Sequence, residues 1–249
     1  SSYMAGLNWG PTSWGGCVDA RHTGRDITDD PPSAERLKAY YWPDDSHNDW
    51  RRDDGTYRSI TSTRGPNLNC PVAMLGMVAE KSSVIANINS MQAVGYTHVG
   101  LGAVWGWRML SPRWRGLWGG QMDANNLPLD YNTPLMNKAV VILTDGMNTM
   151  SNSARGAYWY LSNGRLGTTN SSAAATALDN KLSSVCTSMK NNGIIVYTVA
   201  FDNPGSSIET LMRNCASDPS YYFDSPTGSD LQQAFRLIGD SLSNLRISH

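Results

Sequence analysis

Residues 140–150 read VVILTDGMNTM, and the fold turns on what happens at Asp145. With Ala139 in front, the run AVVILT is apolar on both alternating faces, as expected of a parallel strand covered on two sides. The chain then presents a carboxylate, a glycine and the polar Asn148 and Thr149. In an open α/β sheet, ligands bind beyond the carboxyl ends of the strands, so Asp145 sits where a functional residue belongs. The same Asp-Gly pair is also an ordinary turn, because Asp caps the next amides and Gly accepts a positive φ. Taken alone, these residues leave both readings open.

Working outward, residues 194–201 (IIVYTVAF) form a second buried strand, and residues 221–223 a short third one. Helical patterns lie between and after them, at 173–191 ending on Gly193, at 207–215, and at 229–245 with Leu231, Phe235, Ile238 and Leu242 on one face. Upstream, residues 80–94 place Val84, Ile88 and Met91 at helical spacing before Gly95, and residues 99–110 form a helix stopped by Ser111-Pro112. This alternation predicts an α/β fold: an open, mostly parallel sheet with helices on both faces. No internal repeat is present.

Before Cys70 the chain is a dense mixture of Trp, Gly, Pro, Asp and Arg with turn signals every few residues. Residues 1–70 are expected to be a loop-rich, disulfide-stapled insertion, with at most one brief helix over 34–40, packed on a main domain of residues 71–249.

Lys+Arg 20 against Asp+Glu 21 gives a net charge of -1, so no chain-wide field recruits nucleic acid. No stretch approaches the roughly 18 apolar residues of a membrane span, and no charged leader with a short apolar segment opens the sequence. Cys17, Cys70, Cys186 and Cys215 have neither CxxC nor zinc-ligand spacing. Disulfides in an oxidising compartment are the leading reading, against four reduced, buried thiols. Of the three pairings, Cys17 with Cys70 and Cys186 with Cys215 is preferred because each pair lies within one sequence region. Each loop closure contributes about 3 to 4 kcal/mol in the chain-entropy model.

Catalytic signals are weak. His22, His47, His98 and His249 are scattered, and there is no GxSxG, HExxH or phosphate-binding glycine loop. The expectation is a non-enzymatic protein, with a hydrolase on the same sheet as the alternative. Trp105 and Trp107 are expected in the core. Trp114 and Trp118, in a Gly/Arg/Pro loop beside Arg113 and Arg115, have the composition of a partly exposed binding anchor.

Thr97, in GYTHVGLG, is either a helix cap or a hydroxyl ligand that could share a cation with Asp145. Together these stretches carry a resemblance. GYTHVGLGAVWGWRMLSP, VVILTDGMNT, IIVYTVAF and LMRNCASDPSYYFDSPTGSDLQQAFRLIGDSL are similar to the second half of a von Willebrand factor A domain. SWGGCVDAR and WGWRMLSP more particularly resemble the TadG-like proteins of bacterial tight-adherence (Flp) pilus assembly, and the likeness runs over residues 14–248.

The resemblance implies a metal-ion-dependent adhesion site, with Thr97 and Asp145 at the positions of the family's threonine and second aspartate, and Mg²⁺ as the cofactor. The family's Asp-x-Ser-x-Ser motif follows no apolar strand here; Asp44-Asp45-Ser46-His47-Asn48 is the nearest imitation and lies in a polar loop. The resemblance places that motif on a first, central strand upstream of residue 1, so an A-domain-like sheet lacking one or more strands is expected. It also implies pilus-assembly or envelope proteins as partners, an extracytoplasmic location at the periplasm or cell surface, and an upstream transmembrane anchor. The alternative within the same fold is a metal-dependent adhesin for a host or matrix ligand.

Overall fold

The computed structural model describes residues 9–245. In chain order the helices and strands are α1 (Lys81–Ser90), α2 (Val99–Leu110), α3 (Gly120–Ala124), β1 (Ala139–Thr144), α4 (Ser171–Asn191), β2 (Ile195–Phe201), α5 (Ser206–Cys215), β3 (Tyr222–Ser225) and α6 (Gly228–Leu245). The three strands form one sheet in the order β1-β2-β3, parallel throughout, with Ala139 opposite Ile195 and Thr198 opposite Tyr222. Sequential helices make the two crossovers, so the alternating pattern of the sequence is the topology of the sheet.

Alternation of side chains divides the core. Ile142, Val196 and Ala200 point to one face, where Val104 and Trp107 of α2, Leu182, Val185 and Met189 of α4 and Met212 of α5 pack together. Tyr197 and Val199 point to the other, under Ile238 of α6. Gly100 lets α2 approach α4 closely, since a Cβ there would come within 3.0 Å of the Leu182 backbone nitrogen. Helix α4 begins where Asn170 accepts a hydrogen bond from the Ala173 amide at 3.0 Å, and it is followed by Gly193 at φ 72°.

The structure joins Cys17 to Cys70 and Cys186 to Cys215, the pairing preferred from the sequence. No described helix is long and apolar enough to cross a membrane. Helix α1 forms where the spacing predicts it, but none of its residues is buried, and Val84, Ile85 and Ile88 are each more than 40% exposed.

Among residues 9–80 the regular structure is one 3-10 turn, Arg25–Ile27, and isolated bridges. The brief helix expected over 34–40 is absent. Those residues are drawn out instead: Ala39 bridges Val18, the Asp19 amide donates to the Lys38 carbonyl and the Tyr40 amide to the Cys17 carbonyl, both at 2.8 Å. Pairing with a distant segment outweighs local propensity here.

Three buried aspartates fasten this segment to the α/β body. Asp19 pairs with Arg155 at 2.8 Å and accepts from the Trp159 indole. Asp26 accepts from Tyr158 and pairs with Lys181. Asp29 accepts from Ser111, Tyr131 and Arg113. Arg108 of α2, almost wholly buried, completes the contact by donating to the Thr28 and Arg25 carbonyls. Burial, with Arg21 nearby, pulls its guanidinium down to about 10, so it stays charged at neutral pH.

Candidate functional site

The carboxyl edge of the sheet is organised by the loop that leaves β1. The Thr144 hydroxyl donates to the Gly146 carbonyl at 2.8 Å and accepts from the Gly146 amide, closing a tight turn that leaves Asp145 exposed. Asn148, buried, accepts from the Val99 amide at 2.8 Å and so caps the start of α2, while its amide group donates to Asp179 of α4 at 2.7 Å. The Thr149 amide donates to the Thr97 carbonyl at 3.1 Å, and the Thr149 hydroxyl accepts from the Thr97 amide. Asn148 and Thr149 thus stitch the loop after β1 to the loop before α2, two segments about fifty residues apart in sequence.

The stitching brings Thr97 and Asp145 onto one groove. It has a volume of about 420 Å³ and runs between Thr97, His98 and the first half of α2 on one side and β1 with Asp145 on the other. Its lining is mainly apolar, and Asp145 is its one acidic residue. His98 lines the groove beside Thr97, with its ring edge-on to Tyr158 at 5.4 Å and Nε2 buried without a partner. Burial depresses its imidazole to about 4, against a smaller opposing hydrogen bond with the Thr149 backbone, so the ring is neutral at physiological pH.

As a cation site the pair is sparse. Thr97 and Asp145 supply two oxygen-bearing side chains, and among the described residues no group of three or more His, Cys, Asp or Glu side chains converges. Mg²⁺ demands about six oxygen ligands and gives up water reluctantly, so these two residues alone do not fit it as a caged ion. Asp44 and Asp45, in the stretch nearest to the family motif, are spent locally. Asp44 accepts from the Trp50 and Arg51 amides, and Asp45 from the His47 and Asn48 amides and the Tyr160 hydroxyl.

The tryptophan loop is turned inward. Trp114 is 4% exposed, donates its indole N–H to the Asp29 carbonyl at 2.7 Å and lies edge-on to Trp105. Arg113 pairs with Asp29 and Asp30, and Arg115 with Asp130 and the Pro128 carbonyl. Trp118 stacks on Trp114 and is half-buried; Leu117 beside it is exposed. Trp114, Arg113 and Arg115 therefore hold the 25–30 segment and the 128–130 loop, a role the sequence signalled only through the acidic run DITDD. Of the histidines, His249 lies outside the described residues.

The groove itself was not anticipated. Its signal was the pair Gly102 and Gly106, about one helical turn apart on α2, which with the small Ala103 keeps that wall low.

No protein-family model, curated protein or solved structure matches the chain.

Proposed function

We propose that the chain is a non-enzymatic, extracytoplasmic protein-binding module with a von Willebrand factor A-like sheet, acting in a tight-adherence (Flp) pilus assembly or surface-anchoring system. The observation that carries this reading is the convergence of Thr97 and Asp145 on one groove at the carboxyl edge, the place where the resemblance puts the recognition face of an A domain. Two disulfides support an oxidising compartment.

The same convergence favours one second reading, a metal-dependent adhesin in which a cation at Thr97 and Asp145 is completed by groups from the ligand and water. Mg²⁺ belongs to that reading. In the tryptophan loop, Trp118 with the exposed Leu117 is the remaining contact surface for a pilus or envelope partner.

The test is surface-plasmon binding of the wild-type chain, Asp145→Ala and Trp118→Ala to purified envelope and pilus components of a tight-adherence apparatus and to matrix proteins, in Mg²⁺ and in EDTA. Metal-independent binding to the pilus components supports the module. Binding confined to matrix proteins, lost in EDTA and in Asp145→Ala, replaces it with the adhesin. Calorimetric titration of Mg²⁺ and Mn²⁺ into the wild type and Asp145→Ala reads the metal directly.

A further inference from the structure

Lys138 is buried just before β1 begins, and no described carboxylate forms an ion pair with it. Its Nζ donates to the Leu110 carbonyl at 2.6 Å and to the Leu129 carbonyl, and the centre of the Tyr131 ring lies 4.6 Å away. Asp130, the acid whose charge reaches it, is exposed and pairs with Arg115 at 2.8 Å. Burial, and then the charge of Arg115, lowers the Lys138 ammonium to about 8. The Tyr131 phenol is raised to about 12 by burial and stays neutral. A neutral amine has two hydrogens, enough to keep both carbonyl bonds, and its lone pair is then free to act as a nucleophile.

Lys138 also lines a cavity of about 290 Å³, suited to a small molecule. It opens at the amino end of the sheet, between the loop that enters β1, with Asn132, Thr133 and Asn137, and the turn that enters β2, with Asn192. These two strands are already paired, so a further strand along the outer side of β1 leaves the cavity as it is. Apart from Lys138 the lining carries no charge. Thr133 donates its hydroxyl proton to the Asp130 carbonyl at 2.9 Å and Asn192 its amide N–H to the Ser188 carbonyl at 2.8 Å, which leaves their oxygens as acceptors. The side chains of Asn132 and Asn137 make no hydrogen bond among the described residues. Walls of amide and hydroxyl groups suit a ligand that carries hydroxyls. At the rim Leu135 is held at φ 59°, a strained conformation for leucine of the kind that collects at ligand sites.

We infer that Lys138 is a covalent capture site for small 2-hydroxyaldehydes, the open-chain form of short sugars, seated in this cavity. The site is separate from the carboxyl edge of the sheet and does not rest on the function proposed above. The Nζ lone pair forms a bond to the aldehyde carbon, and the C=O π pair moves to the oxygen, which takes up a proton shed by the nitrogen. The carbon–oxygen bond then breaks, the oxygen leaves as water with the second nitrogen proton, and the C=N bond closes. No oxidant, reductant or co-reactant enters. Protonated from water, the imine has one N–H where the amine had two, so one of the two carbonyls loses its donor. A hydroxyl on the neighbouring carbon replaces it, which selects a 2-hydroxyaldehyde over a plain one.

The experiment incubates the whole chain with glyceraldehyde and cyanoborohydride, which reduces the imine as it forms and fixes the label, and compares the five lysines by peptide mapping. Lys138 is expected to be labelled at least tenfold faster than Lys38, Lys81, Lys181 or Lys190, at a rate that rises with pH and levels off above about 8. Propanal, which has no hydroxyl, is expected to label it at least tenfold more slowly. Asn132→Trp, at an exposed position, fills the cavity from outside. It should keep the unfolding midpoint to within a few degrees and slow the labelling of Lys138 at least tenfold.

Labelling that follows exposure across the five lysines, an unchanged rate in Asn132→Trp, or equal labelling by propanal overturns the proposal. So does a Lys138 rate still climbing at the ordinary lysine value of 10.5. The pH profile and the propanal comparison are read on the wild-type chain, so they judge the proposal even where the variant fails to fold.

Discussion

Lys181 Nζ lies 2.7 Å from the same Asp26 oxygen that accepts the Tyr158 hydroxyl at 2.8 Å. The carboxylate is buried, and its other oxygen has no partner. One oxygen thus receives two donors from the α/β body while the residue itself belongs to the loop-rich segment. Burial, with Asp26 beside it, drives the Tyr158 phenol far above its ordinary range, so it stays protonated and donates to Asp26. Lys181→Met leaves a buried carboxylate held by one neutral donor and is expected to cost about 3 kcal/mol, whereas Asp26→Asn keeps an acceptor for Tyr158 and costs less. The double variant should lose less than the two single losses combined, a coupling read by urea unfolding of all four proteins.

His98 gives the fold an acid-sensitive point. Its folded value of about 4 lies below the ordinary 6.5, so the unfolded chain takes up the proton first as pH falls. Its contribution is intact above pH 6.5 and drains away down to about pH 4, by about 2 to 3 kcal/mol. Unfolding free energies measured from pH 7.5 to 4.5 should fall more steeply for the wild type than for His98→Asn. Asparagine is chosen because residue 98 is the N-cap of α2. Equal slopes would remove His98 as the cause.

Two glycines of α2 should respond oppositely to the same methyl group. At Gly100 it meets the Leu182 backbone at 3.0 to 3.2 Å, and α2 must lift from α4; at Gly102 it meets nothing. Gly100→Ala is expected to destabilise by about 1 to 2 kcal/mol through overpacking, and Gly102→Ala to stabilise by about 1 kcal/mol through helix propensity. Thermal unfolding of the pair, side by side, reads the difference in sign.

The α/β body was legible because its rules are local. AVVILT and IIVYTVAF announced buried parallel strands by being apolar on both faces, and Gly193 and Ser111-Pro112 marked where helices stop. Thr97 and Asp145 could be placed at the same edge from topology, but the means of joining them could not. Asn148 and Thr149 look like turn residues until Val99 and Thr97 are beside them. The aspartate contacts were hidden for the same reason: Asp19 and Arg155 are 136 residues apart, and neither residue type predicts burial. Residues 34–40 misled in the opposite direction, since AERLKAY has good helix propensity and yields to pairing with residues 17–19. Trp114 and Arg113 looked like a surface anchor because aromatic and guanidinium groups suit an internal joint and an external one equally well.

The disulfide between Cys186 and Cys215 encloses the whole of β2 and α5 within a covalent loop of sequence separation 29. Pulled from its two ends, the chain would meet this bridge as a mechanical stop. Tension along the chain bypasses the middle strand through the sulfur bridge, and some 100 Å of contour, at roughly 3.5 Å per residue, is withheld from extension. The bridge between Cys17 and Cys70, with a separation of 53, withholds about 180 Å more. A reducing agent would therefore lengthen the stretched molecule in two discrete steps, each assignable to one bond.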